Sequence, residues 1–145
     1  MSRVSLSPLS NLLLLALNKI LLSLLLIKLN KSVGSSGQPL FSEVEMFLRE
    51  IGFIFHRFID FNSRTIQPIL ANNNIHGQLN QATWADAVFV KDFTKFNELT
   101  TPKLKKTALI LNDVYGSFDV AMRALMAVDE KSKITNYAKK YLEYL

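Results

Sequence analysis

The sequence predicts a mixed α/β chain with a leucine-rich N-terminal helix, a helix-and-two-strand middle and a helical extension at the C-terminus. Three observations carry this. Composition changes abruptly at residue 37. Two runs rich in aromatic and β-branched residues, Phe53 to Phe61 and Trp84 to Val90, stand between turn-rich stretches. From Thr101 onward, apolar residues recur at helical spacing. The boundaries this implies are 1–37, 38–100 and 101–145. A chain of 145 residues suffices for one modest domain with one core.

Residues 1–37 are mostly leucine and serine with some Asn, Lys and Ile, and contain no aromatic or acidic residue. The apolar run from Leu12 to Ile27 is interrupted by Asn18 and Lys19. It falls short of the roughly 20 apolar residues a spanning helix needs. A central lysine costs about 2.5–3.5 kcal/mol on insertion scales. On a helical wheel Lys19, Ser23 and Asn30 share one side, so an amphipathic helix lying at a membrane surface is an alternative. A signal peptide is another, with Arg3 as a thin basic start and small residues at Val33-Gly34-Ser35. Lys28 and Lys31 argue against cleavage there. Leucine favours helix, and Ile20, Ile27, Val4 and Val33 are the only β-branched residues, so this segment supplies no expected strand.

From Gln38 the pattern is that of a folded domain. Ser42 and Glu45 fit a capping box. Val44, Phe47, Leu48 and Ile51 then form one apolar helical face. Gly52 stands where a helix should stop. The run from Phe53 to Phe61 reads as a strand apolar on both faces, and such a strand expects parallel neighbours. Residues 62–80 are polar and irregular, with Pro68 and Asn72-Asn73-Asn74. In the second strand Trp84, Asp86, Val88 and Val90 share one face.

Thr101-Pro102 supplies a helix start. Leu104, Ala108 and Leu111 repeat toward Tyr115, and Gly116 breaks the run. Phe118, Ala121, Met122 and Leu125 begin a second helix. Ile134, Tyr137, Ala138, Tyr141, Leu142 and Leu145 mark a third. The pair around Tyr115-Gly116 is similar to one tetratricopeptide unit, but no second copy follows it.

Charge and composition exclude several function classes. The segment 1–37 carries four basic residues, Arg3, Lys19, Lys28 and Lys31. The remainder carries 13 basic and 12 acidic residues, too balanced for a nucleic-acid face. With no cysteine, disulfides and thiolate chemistry are out. His56 and His76 are too far apart in sequence for metal-ligand spacing, and nothing frames either as a general base. Asp86 and Asp92 read as a strand and a turn residue, Trp84 as a core anchor, and Lys103, Lys105 and Lys106 as a solvated face. No catalytic, cofactor-binding or metal-binding residue is named.

Four phrases add a family expectation. They are Gly37-Gln38-Pro39-Leu40-Phe41, Leu48-Arg49-Glu50-Ile51-Gly52-Phe53, Ala85-Asp86-Ala87-Val88-Phe89-Val90-Lys91-Asp92, and the stretch from Leu109 to Leu125 around Tyr115-Gly116-Ser117. From about Gly37 to Leu145 the chain resembles the C-terminal part of FkbM-type methyltransferases, which use S-adenosylmethionine (SAM). The resemblance implies a Rossmann-like sheet in which the two strands form an antiparallel edge pair. It also implies a strand directly before Gln38. The donor would lie on a glycine loop and an acid farther upstream, and neither can be placed in this sequence. The expectation is therefore an inactive C-terminal fragment with no cofactor of its own, the missing strand lying upstream in another reading frame. A cytoplasmic location goes with this expectation.

Loss of the parent sheet would leave Phe53, Phe55, Phe58 and Phe89 exposed and favour self-association through strand edges. The alternative is a small membrane-associated helical interaction protein, held weakly by Leu12 to Ile27. A third reading makes the last three helices a binding groove.

Overall fold

A computed structural model describes residues 24–30 and 40–145 of the chain. It is mixed α/β and divides into two compact units, 1–89 and 90–145. The boundary falls within a strand.

The first unit is built on a three-stranded sheet. Strand β1 is Leu24–Asn30, β2 is Phe53–Arg64 and β3 is Gln81–Lys91. Their order is β1-β3-β2, and β2 and β3 run antiparallel. Helix α1, Phe41–Glu50, connects the two outer strands in sequence. Its Val44 and Leu48 pack with Phe53, Ala87 and Phe89 as a buried cluster, and Phe41, Phe47, Ile51 and Phe55 close around it. The face read from the sequence is thus the face that is buried.

The helix ends behave as backbone geometry requires. Leu40 is the N-cap, and its N–H donates to Glu43 Oε2 at 2.7 Å. At the other end Gly52 adopts φ +82°, a conformation open to glycine, and its N–H closes on Arg49 O at 3.0 Å.

Several expectations are corrected. The helix begins before Ser42, so the Ser42–Glu45 box does not form. Glu43 takes its role, and Glu45 instead accepts from Arg49 one turn on. Part of the leucine-rich segment is a strand: Leu24–Asn30 pairs beside β3, where the sequence predicts helix and no strand. Helix propensity differences are tenths of a kcal/mol per residue, and a neighbouring strand's unpaired backbone outweighs them. The remainder of the expected helix, including 12–23 of the expected anchor, lies outside the described residues.

The expected antiparallel pair is present at one end of the sheet, with β2 as its edge strand. β3 is interior, with Ala87, Val88, Phe89 and Val90 at or near zero exposure. The doubly buried strand is therefore β3, whereas β2 buries only Phe53 and Ser63. Of the four phenylalanines expected at the surface, Phe53 and Phe89 are buried and Phe58 is exposed.

The second unit is helical. A 3-10 turn, Phe93–Glu98, leads into α2 (Thr101–Asp113), α3 (Phe118–Ser132) and α4 (Tyr137–Tyr144). Helix α3 is the centre, packing against α2, α4 and the 3-10 turn. Leu104, Thr107, Ala108 and Leu111 meet Val120, Ala121, Ala124, Ala127 and Val128 in its core. The alanines let the helix axes approach closely. Among the described residues no helix is long and apolar enough to cross a membrane.

Candidate ligand groove in the helical unit

Helices α2 and α4 flank a groove whose floor is α3. Its volume is about 340 Å³, and it is lined by Lys105, Ala108, Leu109, Asn112, Ala121, Leu125, Tyr137, Tyr141 and Tyr144. The arrangement follows from spacing. Lys105, Leu109 and Asn112 succeed one another at i, i+4 and i+7 on α2, and Tyr137, Tyr141 and Tyr144 do the same on α4. Ala108 and Ala121 leave the hollow because nothing larger fills it.

Helix α4 is held in place by one carboxylate on α3. Asp129 Oδ1 accepts from the Thr135 hydroxyl at 2.6 Å and from Tyr137 N at 3.0 Å, and Oδ2 accepts from Ala138 N at 2.9 Å. It acts as a helix cap supplied from another helix. Partial burial pushes the Asp129 carboxyl upward, but these hydrogen bonds outweigh it and leave the group below the usual carboxylate range.

Polar groups line the rim. Lys105 Nζ donates to the Tyr137 hydroxyl at 3.0 Å and lies 4.5 Å from that ring's centre. The Tyr141 hydroxyl donates to Asn112 Oδ1 at 2.5 Å. Burial, and then the negative charge of Asp113, raise the Tyr141 phenol above its ordinary value, so at neutral pH it is a hydrogen-bond donor and not a base. One cation, phenol hydroxyls and an apolar floor suit binding by stacking and charge. They supply no nucleophile and no general base near neutrality.

The residues weighed in the sequence fall elsewhere. His56 is half-buried on β2. His76 lies in the connection after β2, with Nδ1 2.8 Å from Arg64 Nη1. Asp92 caps the 3-10 turn through Thr94, accepting from its hydroxyl at 2.6 Å and its N–H at 3.0 Å. Those bonds, the hydroxyl's first, hold its carboxyl below the usual range. Asp86 is half-buried on β3, and its Oδ1 is buried with no hydrogen-bond partner. Trp84, two residues earlier on the same strand, is half-buried. Among the described residues no three His, Asp or Glu side chains group to hold a metal ion. Of the lysine cluster, Lys105 and Lys106 are exposed, as the sequence predicts, and Lys105 also lines the groove. The sequence carries no local signal for Asp129, because its partners are six to nine residues ahead, beyond the spacing of a local cap.

No family model, curated protein or solved structure matches this chain.

Proposed function

We propose that the first unit is the C-terminal end of a methyltransferase sheet of the FkbM type, and that this chain alone does not bind SAM. The observation that carries the reading is the sheet order. A strand precedes Gln38, helix α1 follows it, and the closing strand β3 runs antiparallel to β2 in the slot between β2 and β1. The resemblance calls for both the preceding strand and the antiparallel pair. With β1 read in frame, no strand from another reading frame is required. What is still wanting is the glycine loop and ribose-binding acid that a Rossmann-like donor site needs.

Two measurements test this. Translating the nucleotides upstream of the β1 codons in all three frames should reveal a glycine-rich strand-loop-helix. Its absence from every frame would remove the methyltransferase reading. Calorimetric titration of the chain with SAM should give no heat of binding, and micromolar affinity would overturn the claim that the donor site lies elsewhere.

The groove favours a second reading, in which the helical unit is a binding module for an apolar anionic partner. Lys105 is the charged residue of its lining, and no carboxylate joins it there. The aromatic sulfonate anilinonaphthalene sulfonate is a suitable probe. The full chain should bind it saturably, and Lys105→Gln should weaken that binding. Equal binding by both proteins would dismiss the reading.

A further inference from the structure

The far end of the β2–β3 hairpin exposes more apolar surface than its order explains. A row of aromatic rings leads there from the core. Phe89 is fully buried, and Phe55 lies 5.7 Å from it between ring centres. Phe58 follows at 4.6 Å and Phe61 at 6.2 Å, with exposures of 40% and 54%. The row thus leaves the core and ends in solvent.

The connection beyond it continues the surface. Ile66, Ile69, Leu70, Ile75 and Leu79 are each between 41% and 67% exposed. Yet this connection has defined internal structure. Thr65 N donates to Gly77 O at 3.2 Å, Gln78 Nε2 to Asn62 Oδ1 at 2.8 Å, and His76 N to Asn74 Oδ1 at 2.8 Å. Gly77 sits so close that a Cβ there would lie 2.6 Å from the Ala71 Cβ. A hydrogen-bonded loop that holds five aliphatic side chains outward is built to present them.

We infer that this hairpin end is the interface of a homodimer, its occupant the same hairpin of a second copy. Area is the first argument. Together with Phe58 and Phe61, the five aliphatic residues expose on the order of 700 Å², close to the ~800 Å² that each partner contributes to a standard interface and above the ~300–600 Å² of a typical monomer's largest patch. Chemistry is the second. The hairpin end also carries the amides of Asn72, Asn73, Asn74, Gln78 and Asn80, all exposed. A side-chain amide both donates and accepts, so an amide-rich surface is complementary to its own copy across a two-fold axis. Arg57, Asp60 and Arg64 supply both signs of charge, and no lysine lies between Lys31 and Lys91. That pattern lacks the lysine cluster by which a surface loop is drawn to anionic lipid.

Sedimentation velocity on the full chain tests the inference. The monomer is 16.5 kDa, and a species of twice that mass should dominate at about 100 μM. Ile69→Glu and Phe61→Glu each place like charges against each other across the axis, and each should weaken the dimer about tenfold or more. Both side chains are exposed, so the far-UV circular dichroism of the variants should match the parent's. Val114→Glu, exposed at the end of α2 and outside the groove lining, should leave the dimer intact. A monomer at all concentrations would overturn the inference. So would a dimer that survives both hairpin variants, one that Val114→Glu dissociates, or a monomer that instead sediments with phosphatidylcholine–phosphatidylserine vesicles.

Discussion

Lys133 closes helix α3 in the left-handed conformation, at φ +56°, where most helices use glycine. An L-residue pays roughly 1–2 kcal/mol there, and glycine would recover it less about 0.5–1 kcal/mol of added chain entropy. Lys133→Gly should therefore stabilise the protein by about 0.5–1 kcal/mol, read as a higher urea midpoint with an unchanged slope. Asp129 predicts the opposite change. Its removal leaves Tyr137 N and Ala138 N without their cap, so Asp129→Ala should cost about 1–2 kcal/mol. The pH dependence has a definite sign. The folded carboxyl titrates below its unfolded value, so its contribution is complete above about pH 4 and is lost as pH falls through the lower, folded value. An acid titration followed by tyrosine fluorescence should show this loss in the parent. The Asp129→Ala variant should lack that step.

At the scale of elements, helix α1 holds to the sheet through a few side chains. Leu48 is 1% exposed and packs with Val44, Phe53, Ala87 and Phe89. Leu48→Ala should cost about 2–5 kcal/mol, most of it as an unfilled cavity, measurable by urea denaturation. A loss under 1 kcal/mol would mean that α1 is not docked as described. The hairpin connection depends on Gly77 for a different reason. A methyl group there meets Ala71 Cβ at 2.6 Å and Ala71 O at 2.9 Å, and backbone must move to admit it. Gly77→Ala should cost about 1–3 kcal/mol. In amide exchange the effect should centre on residues 65–79, where Thr65 N and Asn74 N bond across the loop. A loss spread evenly over the sheet would show that the contact is not local.

For the molecule as a whole, the position of β3 matters most. It has a neighbour on each side and its four residues 87–90 are buried, whereas β2 is largely half-exposed. Native-state hydrogen exchange should be slowest at Ala87–Val90 and at least about tenfold faster over Phe58–Arg64, because strand cores open only with global unfolding. Equal rates in the two strands would contradict the sheet order.

Much of this was legible from residue order. Periodicity marked α1, α2 and α3 because each buries a single stripe, and it marked α4 although that helix buries no residue fully; Gly52 and Gly116 marked turns where the chain takes positive φ. Aromatic and β-branched runs marked β2 and β3. Those signals are local: they depend on which residues lie within a turn or two of each other. What the sequence could not decide was which strand lies inside, that Leu24–Asn30 would leave helix for strand, that Glu43 would displace Glu45 as the capping acid, and that Lys105 and three tyrosines would meet over two alanines. Each depends on partners distant in sequence. A leucine run satisfies its backbone equally well as helix or as strand until a neighbouring strand offers it a ladder of hydrogen bonds. That choice is settled by tertiary structure, where the gain in pairing and burial exceeds the small preference written into the residues themselves.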